Sequence, residues 1–202
     1  MVPGSFEVAH QRLAEAVDQL GVVAGPSGGD DELLSVLRLC EGVARRLDQI
    51  TVDTIAVLIR RGVFTERGYK SPIGALGDLL GWDRSEARRR VIAAEQVCVR
   101  TGLDGTELPA KLDATADAFT AGKASLRHVE VIARLLNSAA AGRLAPDVWA
   151  GVEEQLAGKT GEYSPSELHT WGTTLIELLD QDGAEPDDRE LELVNELHLV
   201  RK

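Results

Sequence analysis

Three observations predict an all-α fold, a multi-helix bundle with a long central helix. Hydrophobic residues make up 44% of the 202 residues and aromatic residues only 4%, so the core must consist mainly of Leu, Val, Ile and Ala, which suits packed helices. Apolar residues recur at helical spacing through most of the segments that lie between Gly and Pro breaks. The length is also sufficient to bury a sizeable core within one domain.

The chain is predicted to begin with a helix and a flexible linker, which together form residues 1–30. Six apolar residues follow helical spacing: Phe6, Ala9, Leu13, Ala16, Val17 and Leu20. Residues 21–30, GVVAGPSGGD, are rich in glycine. We therefore expect a flexible connection there and a first helix that acts as an arm.

A long central helix is predicted over residues 31–61, which contain no proline and one glycine, Gly42. Seven of its residues keep one face: Leu33, Leu37, Cys40, Ala44, Leu47, Thr54 and Leu58. A helix of about 30 residues is about 45 Å long, and the β-branched cluster at residues 50–54 is expected to bend it. Cys40 and Cys98 are both predicted to be buried as small apolar side chains.

Residues 70–90, KSPIGALGDLLGWDRSEARRR, predict two short helices joined by a tight turn. Ser71 is a favourable N-cap, and Pro72 suits the first helical position because its missing N–H costs nothing there. Gly81 is predicted to end this helix. A turn of about four residues makes the two helices cross steeply, which is the arrangement of helix-turn-helix DNA readers.

The second of these helices is predicted to begin at Arg84. Asp83 followed by Glu86 is an aspartate version of the capping box. At 100° per residue an inward stripe forms from Ala87, Val91, Ala94 and Cys98. Ser85 and Arg89 are then expected to point outward.

Several arginines at an exposed helix start suit contacts with phosphates and with guanine edges. The candidate DNA-binding residues are Lys70, Ser71, Arg84, Ser85, Arg88, Arg89 and Arg90. Arginines on a helix also commonly form a solvated face. Because Glu86 lies one turn before Arg89 and Arg90, intrahelical ion pairs are the open alternative for these two residues.

Further helices are predicted up to Ala121 and over residues 125–137, 146–157 and 164–180, with a loop at residues 101–109. The break at Gly122 resembles, over a short stretch, the helix-turn-helix of plasmid-partition proteins. Leu126, Val129, Ile132 and Ala133 are predicted to pack inward and Arg127, Glu130 and Arg134 to be exposed. Ordinary helical packing is the favoured interpretation there.

The predicted helical domain covers residues 31–182, and residues 183–202 are predicted to form an acidic turn and a short strand-like tail. Apolar residues occupy alternate positions in that tail, as in a strand with one apolar face: Leu191, Leu193, Leu197 and Leu199.

The net charge of -11 is unevenly distributed along the chain. Residues 153–198 contain 13 acidic residues and only Lys159 and Arg189 as basic ones. Residues 60–100 contain nine basic and five acidic residues, which is the excess that a nucleic-acid partner favours. The acidic stretch fits a mimic of nucleic acid, a partner-binding tail or a solvated surface, and these alternatives stay open.

Motifs of catalytic chemistry are absent from the sequence. It contains no HExxH, no CxxC and no phosphate-binding loop. We therefore predict no catalytic residue, no metal ligand and no cofactor, and we expect the chain not to be an enzyme by itself. Without a run of about 18 apolar residues or a signal peptide, a cytoplasmic location and no membrane partner are expected.

Two segments resemble the actinobacterial domain of unknown function 222: RRGVFTERGYKSPIGALGDLLGWDRSEARRRVIAA and AFTAGKASLRHVEVIARLLN. The resemblance covers roughly residues 31–182. This domain is found at the N-terminus of HNH endonuclease-like proteins, including those of mycobacterial interspersed repeats. The resemblance implies a helical module beside a nuclease and a connection with mobile DNA elements. The family normally continues into a nuclease with closely spaced His and Asn residues, which are not expected in this chain.

The sequence thus predicts a non-catalytic helical module that binds double-stranded DNA. A nuclease domain or a second copy of the chain are the further expected partners. The alternative is a structural or oligomerisation module, in which the long helix and the acidic C-terminal region hold a partner protein.

Overall fold

The computed structural model describes residues 4–25, 28–102 and 104–180, and the fold within them is all-α, as predicted. The helices are α1 (Gly4–Val23), α2 (Asp30–Arg60), α3 (Val63–Glu66), α4 (Pro72–Leu80), α5 (Arg84–Val97), α6 (Asp113–Thr120), α7 (Leu126–Leu136), α8 (Pro146–Gly158) and α9 (Pro165–Leu179). Two strands, β1 (Arg100–Thr101) and β2 (Glu107–Leu108), form a small antiparallel sheet.

The chain divides into two compact units, Met1–Ile50 and Thr51–Lys202. Residues 1–50 are the first unit and residues 51–202 the second. The predicted domain boundaries at residues 30/31 and 182/183 stay predictions.

The described part of the first unit consists of α1 and the beginning of α2, and none of its residues is buried. Val22 is 82% exposed and Leu37 is 66% exposed. The prediction that Cys40 is a core residue is wrong, because its side chain is exposed on α2. The predicted apolar face of α2 is not its buried face, because the buried residues of this helix are Val52, Ile55 and Ala56 and Thr54 is exposed. Within the first unit no described element covers the predicted stripe.

The second unit contains a continuous core built around α7. Eight of the 11 residues of α7 are buried: Leu126, His128, Val129, Val131, Ile132, Ala133, Leu135 and Leu136. This helix packs against α5, α6, α8 and α9. Gly172 allows the close approach of α9, because a Cβ atom there would lie 2.6 Å from Leu135 Cδ1 and 2.7 Å from Leu156 Cδ2.

Most predicted helix ends in the second unit are confirmed. Ser125 and Ser164 each accept a hydrogen bond from the backbone three residues later, as N-caps do. The predicted loop at residues 101–109 is instead the hairpin of β1 and β2. Its Arg100 donates from Nε to the Pro109 carbonyl at 2.9 Å, which holds the hairpin closed.

The predicted C-terminal strand and the acidic turn lie outside the described residues. No helix within the described ranges has the length and apolar character needed to cross a membrane.

Candidate nucleic-acid interface

Helices α4 and α5 form the predicted pair with a tight turn. The Ser71 hydroxyl accepts a hydrogen bond from the Gly74 N–H at 3.1 Å, and Pro72 is the first residue of α4. Gly81 ends α4 with a φ of 67°, a left-handed conformation that glycine adopts without strain. Only residues 81–83 separate the two helices, so the predicted local structure is confirmed.

The start of α5 differs from the prediction in one respect. The helix begins at Arg84, but the Asp83 side chain makes no capping hydrogen bond, and the proposed capping box is wrong. Glu86 is bound elsewhere: it accepts a hydrogen bond from Arg89 at 2.6 Å and forms an ion pair with Arg90. A hydrogen bond between two charged groups is stronger than one to a neutral N–H, which explains why Glu86 binds Arg89 and Arg90 and not the backbone N–H of Asp83.

Arg90 also lies over the turn. Its guanidinium carbon is 4.5 Å from the centre of the Trp82 ring, a cation–π contact that ties the start of the helix to the turn. The intrahelical ion pairs that were the open alternative for Arg89 and Arg90 are therefore present.

Arg89 does not point into solvent as its helical position predicts. Its Nε donates to Glu130 Oε2 on α7 at 2.8 Å, and its side chain is only 24% exposed. The hydrogen bond to Glu130 raises the pKa of Arg89 further above its ordinary value. Arg89 is thus a connection between two helices, and sequence periodicity missed it because the partner lies 41 residues away.

The two carboxylates of this cluster are held in the ionised form. A hydrogen bond from Arg90 lowers the pKa of Glu86 despite its partial burial. Burial opposes ionisation of Glu130, but the hydrogen bonds from Arg89 and Arg127 outweigh it and lower its pKa as well. Glu130 also accepts a hydrogen bond from Arg134 at 3.1 Å, so three guanidinium groups share this carboxylate.

The remaining candidate residues are exposed. Arg84, Ser85 and Arg88 occupy the solvent side of α5, and Lys70 and Ser71 are exposed at the start of α4. Within the described residues Arg84 and Arg88 form no ion pair, in contrast to Arg89 and Arg90. The DNA-binding role of all seven residues stays a prediction.

A groove of about 570 Å³ separates α5 from α7. Its lining consists of Ser85, Arg88, Arg89, Ile92, Glu95, Gln96, Glu130, Ala133, Arg134 and Asn137. α5 carries four arginines and two glutamates, and α7 carries two arginines and one glutamate. The two helices that form the groove thus have three positive charges in excess, although the whole chain is acidic.

Glu153 is the first acidic residue of the stretch 153–198, and its side chain is buried and has a structural role. From α8 it accepts hydrogen bonds from the Thr115 N–H at 2.7 Å, the Thr115 hydroxyl at 2.5 Å and the Ala114 N–H at 3.2 Å. These groups lie at the start of α6, whose own N-cap, Leu112, has no side-chain acceptor. A carboxylate at a helix N-terminus is favoured by the helix dipole.

Two reactive residue types of the second unit have structural roles. Cys98 donates its thiol to Asp53 at 3.3 Å, and burial together with this carboxylate raises the pKa of the thiol to about 12, so it is a poor nucleophile. His128 Nδ1 accepts the Ser125 N–H at 3.1 Å, which leaves Nε2 to donate to the Tyr163 carbonyl at 2.8 Å. Across the described ranges no cluster of three His, Cys, Asp or Glu side chains has a geometry suited to a metal ion.

The chain belongs to the family named Domain of unknown function (DUF222), whose model matches residues 34–196. Similar proteins from Mycobacterium tuberculosis, strains CDC 1551 / Oshkosh and ATCC 25618 / H37Rv, carry the name uncharacterized protein. They are 36% identical over 152 residues, which cover 75% of this chain and 33% of the relative.

An uncharacterized protein from Mycobacterium bovis is 34% identical over 109 residues, which cover 54% of this chain and 24% of the relative. The first relatives are thus about three times as long as the matched region, and this chain spans about a third of their length. No solved structure matches the chain.

Proposed function

We propose that the second unit binds double-stranded DNA through α4, α5 and the groove between α5 and α7. The observation that carries this proposal is the solvent side of α5, where Arg84 and Arg88 lie one helical turn apart with no carboxylate partner in the described residues. Uncompensated guanidinium groups at a helix start suit phosphate oxygens and guanine edges. Ser85 adds a hydroxyl donor on the same side.

The paired arginines have a different role in this proposal. Arg89 and Arg90 hold α5 against Glu130 of α7 and against Trp82 of the turn, so they position the helix. Lys70 and Ser71 are exposed at the start of α4, and in this proposal they contact the phosphate backbone of the bound duplex. Positive charge in excess on α5 and α7 favours association despite the acidic character of the whole chain.

Replacing Arg88 by Ala tests the proposal in a duplex titration followed by fluorescence anisotropy. If Arg88 contacts a phosphate, its loss weakens binding to all duplexes alike, and the slope of log binding constant against log salt concentration decreases in magnitude by about one. If Arg88 contacts a base, its loss relaxes the sequence preference at one base pair of the site. Lys159→Ala is the matched control, because it removes the same charge from a lysine already paired with Glu162 at 2.7 Å. A parent protein that does not bind any duplex in 50 mM salt contradicts the proposal.

A neighbouring nuclease is part of the same proposal, since the resemblance described above implies one in proteins of this family. We expect this chain alone to leave plasmid DNA intact in the presence of Mg²⁺, Mn²⁺ or Zn²⁺. Metal-dependent nicking that is lost in His169→Ala would contradict a non-catalytic module.

The first unit supports a second candidate function, oligomerisation with another copy of the chain. Leu33, Leu37, Cys40, Ala44 and Leu47 alternate at spacings of four and three residues, the period of a coiled-coil seam. Leu37 and Leu47 are 66% and 43% exposed. Sedimentation equilibrium tests this function: Leu37→Glu should dissociate the oligomer, and Ser35→Glu on the other side of α2 should not. A monomeric parent excludes it.

A further inference from the structure

A second cavity lies at the other end of α5 from Arg84. It has a volume of about 250 Å³ and is formed by the last turns of α2 and α5, strand β1 and the segment before α6. Its lining is Ala56, Ile59, Arg60, Ala94, Glu95, Val99, Arg100, Thr101 and Lys111. Glu95 also lines the groove between α5 and α7, so the two cavities adjoin along one helix.

Three cationic side chains surround an apolar floor in this cavity. Arg60 Nη1 donates to the Val99 carbonyl at 3.4 Å, and Arg100 Nε donates to the Pro109 carbonyl at 2.9 Å. A carbonyl orients a guanidinium group but does not neutralise its charge. Within the described residues neither arginine nor Lys111 forms an ion pair, and Glu95 is the single carboxylate of the lining.

We propose that this cavity binds a phosphate group of a nucleic-acid backbone. Arg60, Arg100 and Lys111 would take the phosphate oxygens, and Ala56 and Ile59 would contact the adjacent sugar. The volume is below the roughly 300 to 1,000 Å³ of sites that enclose a whole small ligand, which favours one unit of a longer chain. The inference deepens the proposed function and rests on it for the identity of the ligand.

The length of α5 sets the separation between the two contact regions. Fourteen residues correspond to about 21 Å, which is about six phosphate steps of one strand at 3.4 Å per step. A duplex that contacts Arg84 therefore has to extend about six base pairs further to reach the end of α5 beside the cavity. Short duplexes should not distinguish a Lys111 variant from the parent.

The experiment compares Lys111→Ala and Arg60→Gln with the parent on duplexes of 6 and 16 base pairs, over a range of salt concentrations. On the long duplex we expect each variant to bind about tenfold more weakly, as for loss of a charged hydrogen bond. The salt slope should decrease by about one. On the short duplex both variants should match the parent, and Lys159→Ala should match it on both lengths.

Failure of this inference is distinguishable from failure of the proposed function. One outcome excludes only the phosphate site: the parent binds, Arg88→Ala weakens binding, and both cavity variants bind the long duplex as well as the parent does. The proposed DNA interface on α5 then remains. If the parent binds no duplex, inorganic phosphate is titrated and followed by amide NMR shifts. Shifts at Arg100 and Lys111 that vanish in Arg60→Gln support a phosphate site without DNA, and their absence overturns it.

Discussion

Leucines in the two units have opposite environments although they belong to similar apolar stripes. Leu37 on α2 is 66% exposed in the first unit, whereas Leu156 on α8 is fully buried in the second. In the second unit α7 packs against four other helices, and the apolar side chains that face it, Leu156 among them, are buried. An apolar stripe therefore identifies a face of a helix that favours a partner, but not whether the same unit supplies that partner.

The largest expected effect is a difference in the free energy of unfolding between variants of these two leucines. Leu156→Ala should lower the free energy of unfolding by about 3 kcal/mol, because it removes buried methyl groups and leaves a cavity. Leu37→Ala should change it by less than about 0.5 kcal/mol in a monomer. Urea unfolding followed by circular dichroism measures both values. Equal losses for the two variants would mean that Leu37 is also buried in solution.

The next effect concerns the buried carboxylate of the second unit. Glu153→Ala leaves the Thr115 and Ala114 N–H groups without their acceptor, and we expect a loss of about 2 kcal/mol of unfolding free energy. Glu154→Ala, an exposed neighbour on α8, is the matched control and should be nearly neutral. Hydrogen exchange of the α6 amides should accelerate in the first variant only.

A third and smaller effect on stability is expected where α9 packs closely against its neighbours. Gly172→Ala places a Cβ atom 2.6 Å from Leu135 Cδ1, and because both Leu135 and Leu156 are buried we expect a loss of about 1 to 2 kcal/mol. Gly151→Ala within α8 meets open space and should stabilise the protein by up to about 1 kcal/mol. Thermal unfolding of the pair decides whether close approach, and not helix propensity, selects glycine at position 172.

The smallest expected effect is a decrease in stability at acidic pH. The pKa values of Glu86 and Glu130 are lowered in the folded protein, so their contribution to stability is complete above about pH 4.5 and is lost as the pH falls below it. Partial exposure of the pairs limits this contribution to about 1 kcal/mol. Glu130→Gln should flatten the decline of the urea midpoint below pH 4.5. A midpoint of the parent that stays constant down to pH 3 would contradict this assignment.

Local features of the second unit were predictable from the sequence because their causes lie within a few residues. Ser71 with Pro72, and Gly81, define the ends of α4 through capping and backbone preferences alone. The buried stripe of α5 follows from the helical period, and Ala87, Val91, Ala94 and Cys98 are all buried as predicted. The capping box of Asp83 failed because Glu86 had charged competitors on its own helix.

Only the tertiary structure decided which ion pairs link different helices and which apolar stripes are covered. Arg89 meets Glu130 across 41 residues, and Thr115 meets Glu153 across 38, separations at which no periodicity relates the partners. The same periodicity placed Cys40 and Cys98 on apolar faces, and packing buried one and left the other exposed. The sequence by itself determined most of the helices, the serine caps of α4, α7 and α9 and the apolar faces of α5 and α7, since these depend on neighbours along the chain. Burial and the ion pairs between helices depend on neighbours in space, and these follow from how the helices pack.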